Sequence, residues 1–144
     1  MIIEFQAKIK IAGELKAFVR LAEKLKTDYP RLPICIEADG LYPNQTFFHI
    51  CKKNGEWLIT FKDGNLPSLW KEVLVLKEME EENTRRHTIY KNGKSILHTY
   101  IWVRNLDYCG FALNWFECAE EADSKTTRFV YISSLNPIIT VYWK

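Results

Sequence analysis

The sequence predicts an α/β layer followed by antiparallel β structure, and three observations carry that reading. Up to residue 80, stretches with helical spacing of apolar residues alternate with short apolar runs, the pattern of strands joined by helical crossovers. Beyond 80-EEENTRR-86 the helical spacing stops, and four runs rich in β-branched and aromatic residues follow, divided by turn-forming residues. Finally, 47% of the 144 residues are apolar and 14% aromatic, enough to bury the core of one domain, or of a small domain with an appendage.

The elements follow in order. The opening 2-IIEF-5 reads as a short strand. Over residues 14–28, Leu15, Phe18, Val19, Ala22 and Leu25 recur at helical spacing, while Lys16, Arg20, Glu23, Lys24 and Lys26 fill the other face. Gly13 precedes this helix, and Pro30 and Pro33 end it. The near-continuous apolar run 34-ICIEA-38, interrupted by Glu37, suits a strand of a helix-covered sheet. A Gly-Leu-Tyr-Pro-Asn turn leads into a short helix, 45-QTFFHICKK-53, ended by Asn54-Gly55. Next come a strand, 56-EWLITF-61, an Asp63-Gly64 turn, and a helix, 67-PSLWKEVLVLKEM-79, with Pro67 in its first turn. The later strands are 85-RRHTIYK-91, 95-SILHTYIWV-103, 111-FALNWFEC-118 and 127-TRFVYIS-133. The first two flank Asn92-Gly93 closely enough to form a hairpin.

Few residues suggest chemistry on their own. A net charge of +2 permits a nucleic-acid partner without arguing for one. None of Cys35, Cys51, Cys109 and Cys118 sits in a C-x-x-C pair, and His49, His87 and His98 supply no zinc-like spacing. Cys35 and Cys51 read as small core residues, and His49 and His98 as packed or half-exposed rings. Ser133-Ser134 lacks the glycine-flanked elbow of a hydrolase nucleophile. Trp57, Trp70, Trp102, Trp115 and Trp143 lack interleaved arginines, so core packing explains them before base stacking does. The triple glutamate of 80-EEE-82 reads as a solvated helix end. With no signal peptide and no apolar run of membrane-spanning length, a reduced, cytoplasmic protein with no membrane partner is expected. That leaves Asp39, at the tip of an apolar strand. Position alone makes it a turn or cap residue.

The order of the pieces says more. The run 14-ELKAFVRLAEKLKTDYPRLPICIEADGLYPNQTFFHICKKNGEWLITFKDGNLPSLWKEV-73 resembles the middle of the DDE transposases of bacterial insertion sequences. In that family a basic amphipathic helix leads through a Pro-Arg-Leu-Pro-type connector into a strand ending in Asp-Gly-Leu-Tyr or a close variant. A helix, an aromatic strand and a Phe-Lys-Glu-Gly-like turn follow; here the turn is 61-FKDG-64. Likewise 99-TYIWVRNLDYCGFALNWFECAEE-121 with 127-TRFVYISSL-135 is similar to the β-rich insertion that many such enzymes carry between their second and third catalytic residues.

The resemblance implies a partial RNase H-like layer over residues 1–81 and a β-rich insertion over residues 82–144. It implies that Asp39 is the second carboxylate of the catalytic triad and a metal ligand, in a family that cuts and rejoins DNA. Such sites hold two divalent metals, usually Mg²⁺, about 3.5–4 Å apart, and hard cations take oxygen ligands. The family's first Asp lies upstream of the matching segment, and its third residue, a Glu, lies on a helix after the insertion. Neither has a counterpart here, and Glu37, Glu117, Glu120 and Glu121 match no family position. The ends, 1-MIIEFQAKIKIAG-13 and 136-NPIITVYWK-144, depart from the family pattern. The expectation is therefore a truncated, inactive transposase remnant that binds no Mg²⁺ stably. The alternative is a DNA- or transposase-binding module that regulates a full-length relative. The absent first strand would leave 34-ICIEA-38 with an open edge, so either self-association or pairing with 2-IIEF-5 is expected.

Overall fold

The computed structural model describes residues 2–4, 11–39, 45–62, 64–80 and 82–136. Its elements are β1 (Ile2–Glu4), α1 (Ile11–Asp28), β2 (Cys35–Ala38), α2 (Gln45–Asn54), β3 (Glu56–Thr60), α3 (Pro67–Met79), β4 (Thr84–Lys91), β5 (Lys94–Tyr108), β6 (Phe111–Ala122) and β7 (Lys125–Ser133). The fold is mixed α/β, with one seven-stranded sheet in the order β1-β2-β3-β7-β6-β5-β4. The pairs β1–β2 and β2–β3 are parallel and the other four antiparallel. No helix of the described residues is long and apolar enough to cross a membrane.

The N-terminal segment covers the edge of β2, as the second of the two expected arrangements has it: Ile2 pairs with Cys35, Ile3 with Ile36 and Glu4 with Glu37. On the other side, β3 pairs with β2 and then with β7, the last strand, so strands of both halves share one sheet. Two serine hydroxyls fasten that junction. Ser133 Oγ donates to the Trp57 carbonyl at 2.6 Å, and the Trp57 N–H donates to Ser134 Oγ at 2.9 Å. These serines serve structure.

Register and alternation put Ile36, Trp57, Ile59, Ile132, Trp115, Leu113, Val103 and Leu106 on one face of the sheet. All are buried, in a single cluster with Ala22 of α1, Phe47, Phe48 and Cys51 of α2, and Leu69 and Val73 of α3. The three helices therefore share one face. Inside the cluster Phe48 packs its ring 5.0 Å from that of Trp57, and Trp70 lies edge-on to Trp115 at 6.2 Å. The opposite face carries Leu58, Tyr100, Phe116 and Tyr131, all half-buried, and the exposed Phe129.

Several bounds differ from expectation. Helix α1 begins at Ile11, so Gly13 lies inside it and does not mark its start. Strand β5 runs on past Val103 to Tyr108 through a bulge between Val103 and Leu106. Asn105 there takes a left-handed φ of 57°, and its N–H donates to Asn114 Oδ1 at 3.0 Å. Strands β6 and β7 are likewise longer than their apolar cores suggest, because cross-strand pairing continues through the polar residues to the turn. All three hairpins close with two residues at positive φ: Asn92-Gly93, Cys109-Gly110 and Asp123-Ser124. Such turns match the twist of the flanking strands. The turn after Asp39, and Trp143, lie outside the described residues.

Burial sets the thiols apart. Burial, with a smaller contribution from Cys35, pushes the Cys51 thiol up from an ordinary 9.0 to about 12. In the unfolded chain Cys51 loses its proton near 9, whereas the folded protein holds it, so ionisation favours unfolding. Burial also raises Cys35, Cys118, Tyr100 and Tyr131. Stability should be level below about pH 9 and fall progressively as pH rises toward 12. A denaturation midpoint that holds constant over that range would contradict it. In the same samples an alkylating reagent should label exposed Cys109 first and Cys51 only on unfolding.

Candidate functional site

Asp39 directly follows β2, where the parallel strands β2 and β3 end side by side with Ala38 opposite Ile59. In open α/β sheets ligands bind outside the carboxyl ends of the strands, at the point where crossover helices pass to opposite faces; Asp39 stands at that end, although α1, α2 and α3 here share one face. The local sequence explains the exposure. Ile36 and Ala38 belong to the helix-covered core, and the chain leaves the sheet at Asp39, whose side chain is 55% exposed.

Among the described residues one partner holds the carboxylate: Lys62 Nζ donates to Asp39 Oδ1 at 3.2 Å. Lys62 follows β3 and is also exposed, so the pair is a solvent-screened contact of small worth. The backbone that carries it is firmer. Phe61 is buried, its N–H donates to the Val130 carbonyl at 2.8 Å, and its ring stacks on Trp70 at 4.8 Å. Trp70 Nε1 donates to the Lys62 carbonyl at 3.2 Å, closing the turn against α3. Glu37 lies two residues back on β2. Among the described residues no set of three His, Cys, Asp or Glu side chains is placed to hold a metal ion. A hard divalent cation needs several oxygens, and here an ammonium group faces the one candidate carboxylate. The residues described do not fit a two-metal centre.

The other histidines and acids go elsewhere. His49 is exposed on α2 with its ring edge-on to Phe111 at 4.7 Å. His98 Nδ1 lies 3.0 Å from Tyr100 Oη, and its Nε2 is 3.7 Å from Glu120.

Sequence reasoning passed over Glu117. It is buried on the helix side of β6, and its two oxygens meet Lys77 Nζ of α3 at 3.2 Å and Arg128 Nη2 of β7. The signal was present. Phe111, Leu113 and Trp115 alternate into the core, and Glu117 keeps their phase, so period two alone turns it inward. Lys62, the partner of Asp39, left no comparable trace beyond its place in 61-FKDG-64.

No protein family, curated protein or solved structure matches this chain.

Proposed function

We propose that these residues are an internal segment of a DDE-class insertion-sequence transposase. In that reading β1 to α3 belong to a partial RNase H-like layer and β4 to β7 to its β-rich insertion. One observation carries it: the Asp that the resemblance selects stands at the C-terminal end of a strand flanked by parallel neighbours. That is where a phosphodiester-cutting carboxylate of such a layer would have to stand. The order of helix, strand, Asp, helix, strand and β-rich half along the chain supports it further.

The same reading makes the chain, as it stands here, a non-catalytic relative of DNA-cleaving and strand-transferring enzymes. In-line displacement needs the attacking and leaving oxygens both stabilised, which takes carboxylates from several elements. Asp39 brings one, already facing Lys62. With supercoiled plasmid and Mg²⁺ or Mn²⁺ the purified chain should neither nick nor join DNA. Nicking that disappears in Asp39→Ala would overturn the non-catalytic reading, because a contaminating nuclease survives that substitution. The family assignment has its own test in the DNA on both sides of the coding sequence. It should encode, in frame or shifted, an upstream strand bearing an Asp and a downstream helix bearing a Glu. Finding neither would refute it.

A further inference from the structure

We propose that residues 137–144 dock across the helix-free face of the sheet, over Trp102, Phe116 and Tyr131. This docking does not depend on descent from a transposase. Alternation sends Trp102, Phe116 and Tyr131, which pair in one row, to the face away from the helices. Trp102 is nonetheless only 6% exposed, and it stands outside the core cluster on which all three helices pack. The Arg85 guanidinium lies over its ring at 5.9 Å, but Arg85 is itself exposed. The Trp102 Nε1 is buried and has no acceptor among the described residues. A buried indole N–H calls for an acceptor, and a stretch of chain laid across the ring can offer a carbonyl. Tyr100 and Phe129, in the next row, extend the same aromatic surface.

The chain leaves its last strand toward this face. Ser133 and Asn114 are paired in the adjoining row, on the same side of the sheet. The Leu135 N–H donates to Ser133 Oγ at 3.0 Å, and Asn114 Nδ2 donates to the Leu135 carbonyl at 2.9 Å. Asn114 Oδ1 in turn accepts the Asn105 N–H of β5 at 3.0 Å, so the amide that holds Leu135 is itself fixed. Leu135 is thus fastened against β6, one row from Phe116, and has left the β7 ladder. A second copy of the chain covering this face would not account for that path. Pro137 follows, with no N–H to extend a ladder. The segment 137-PIITVYWK-144 is rich in β-branched and aromatic residues and carries one charge, Lys144. Its eight residues, extended, span roughly 26 Å, whereas β7 and β5 stand two spacings, roughly 10 Å, apart. Period two gathers Ile139, Val141 and Trp143 on one side, a wholly apolar strip to set against the aromatic row.

The test is hydrogen exchange of the full chain, read by mass spectrometry for residues 137–144 and by NMR for the Trp102 indole. One variant changes the segment (Ile139→Ser, Val141→Ser and Trp143→Ser together), and one changes the face (Phe116→Glu). Leu74→Glu, at an exposed position of α3, is the control. In the parent the segment's amides should exchange about tenfold or more slowly than in an unstructured peptide, with the Trp102 Nε1–H protected. The segment variant should lose that slowing and release the Trp102 Nε1–H, while the amides of β3 and β7 stay protected. Phe116→Glu should do the same, and Leu74→Glu should match the parent. The segment variant alters none of the seven strands, so a face variant that failed to fold would leave the test standing. Segment amides that exchange at the unstructured rate in the parent would overturn the docking. So would a Trp102 Nε1–H that exchanges alike in the parent and the segment variant, because the segment would then lie elsewhere. Slowing that grows with protein concentration would overturn it too, since a second copy would then supply the cover.

Discussion

Gly55→Ala is expected to destabilise the fold by about 3 kcal/mol or more, among the larger costs a single substitution imposes. Gly55 joins α2 to β3, with its N–H donating to the Cys51 carbonyl at 2.9 Å. A Cβ placed there would lie 2.6 Å from the Ile34 carbonyl oxygen. That oxygen is backbone and cannot rotate away. It also accepts the Glu56 N–H at 3.0 Å, so moving it disturbs the start of the β2–β3 ladder. Gly93→Ala is the comparison. Its φ is 73° but open space surrounds it, so only the left-handed backbone penalty of about 1–2 kcal/mol applies. Urea denaturation of both variants measures the difference. A Gly55→Ala midpoint no lower than that of Gly93→Ala would show that the close approach is not what constrains this site.

Trp115→Ala should cost about 3–5 kcal/mol, the range for deleting a buried aromatic and leaving its cavity. Trp115 is the largest of the fully buried side chains. Trp70 packs edge-on against it, and Lys77 Nζ lies over its ring at 5.6 Å. Yet its Nε1 has no hydrogen-bond partner among the described residues. An indole N–H buried without an acceptor carries an unrecovered desolvation penalty. Trp115→Phe removes that donor while keeping most of the apolar volume, so it should cost well under half as much as Trp115→Ala. Equal losses for the two variants would mean that the indole N–H finds a partner after all. With total stabilities of domains near 5–15 kcal/mol, the alanine variant should lose a large share of the fold's stability, read as a lowered urea midpoint.

Much of this fold is legible in the sequence, for identifiable reasons. Helix α3 has Pro67 at its first turn and a run of apolar residues after it, and its bounds coincide with the expected ones. Asn92-Gly93 names its own turn, because both residues tolerate positive φ. Asp123-Ser124 makes an equivalent turn without glycine, inside the polar stretch from Ala122 to Lys125 where the sequence predicts a turn between two strands. Strand β5 reads as ending at Val103 in the sequence because a bulge breaks the alternation that marks a strand. The neighbour of β3 could not be read at all. Nothing local in 127-TRFVYIS-133 says that it pairs with β3 as well as with β6. Of the candidate site, the position of Asp39 at a strand tip followed from pattern. Its pairing with Lys62 depends on how two parallel strands align, which is a tertiary fact.

The placement of β7 between β3 and β6 has a kinetic consequence. The parallel strands and their helices are synthesised first, but the strand that completes their sheet emerges last. Until it arrives, β3 presents an open edge, with Trp57 and Ile59 lacking part of their final surroundings. Closing that gap brings together segments far apart in the chain, which slows folding relative to local hairpins. The three hairpins of the second half need only two-residue turns and can form as soon as they leave the ribosome. Assembly is therefore expected to run backwards along the chain, the antiparallel half organising first and supplying the template on which the earlier βα units settle. During that interval the nascent first half is the region exposed to mispairing and to chaperones.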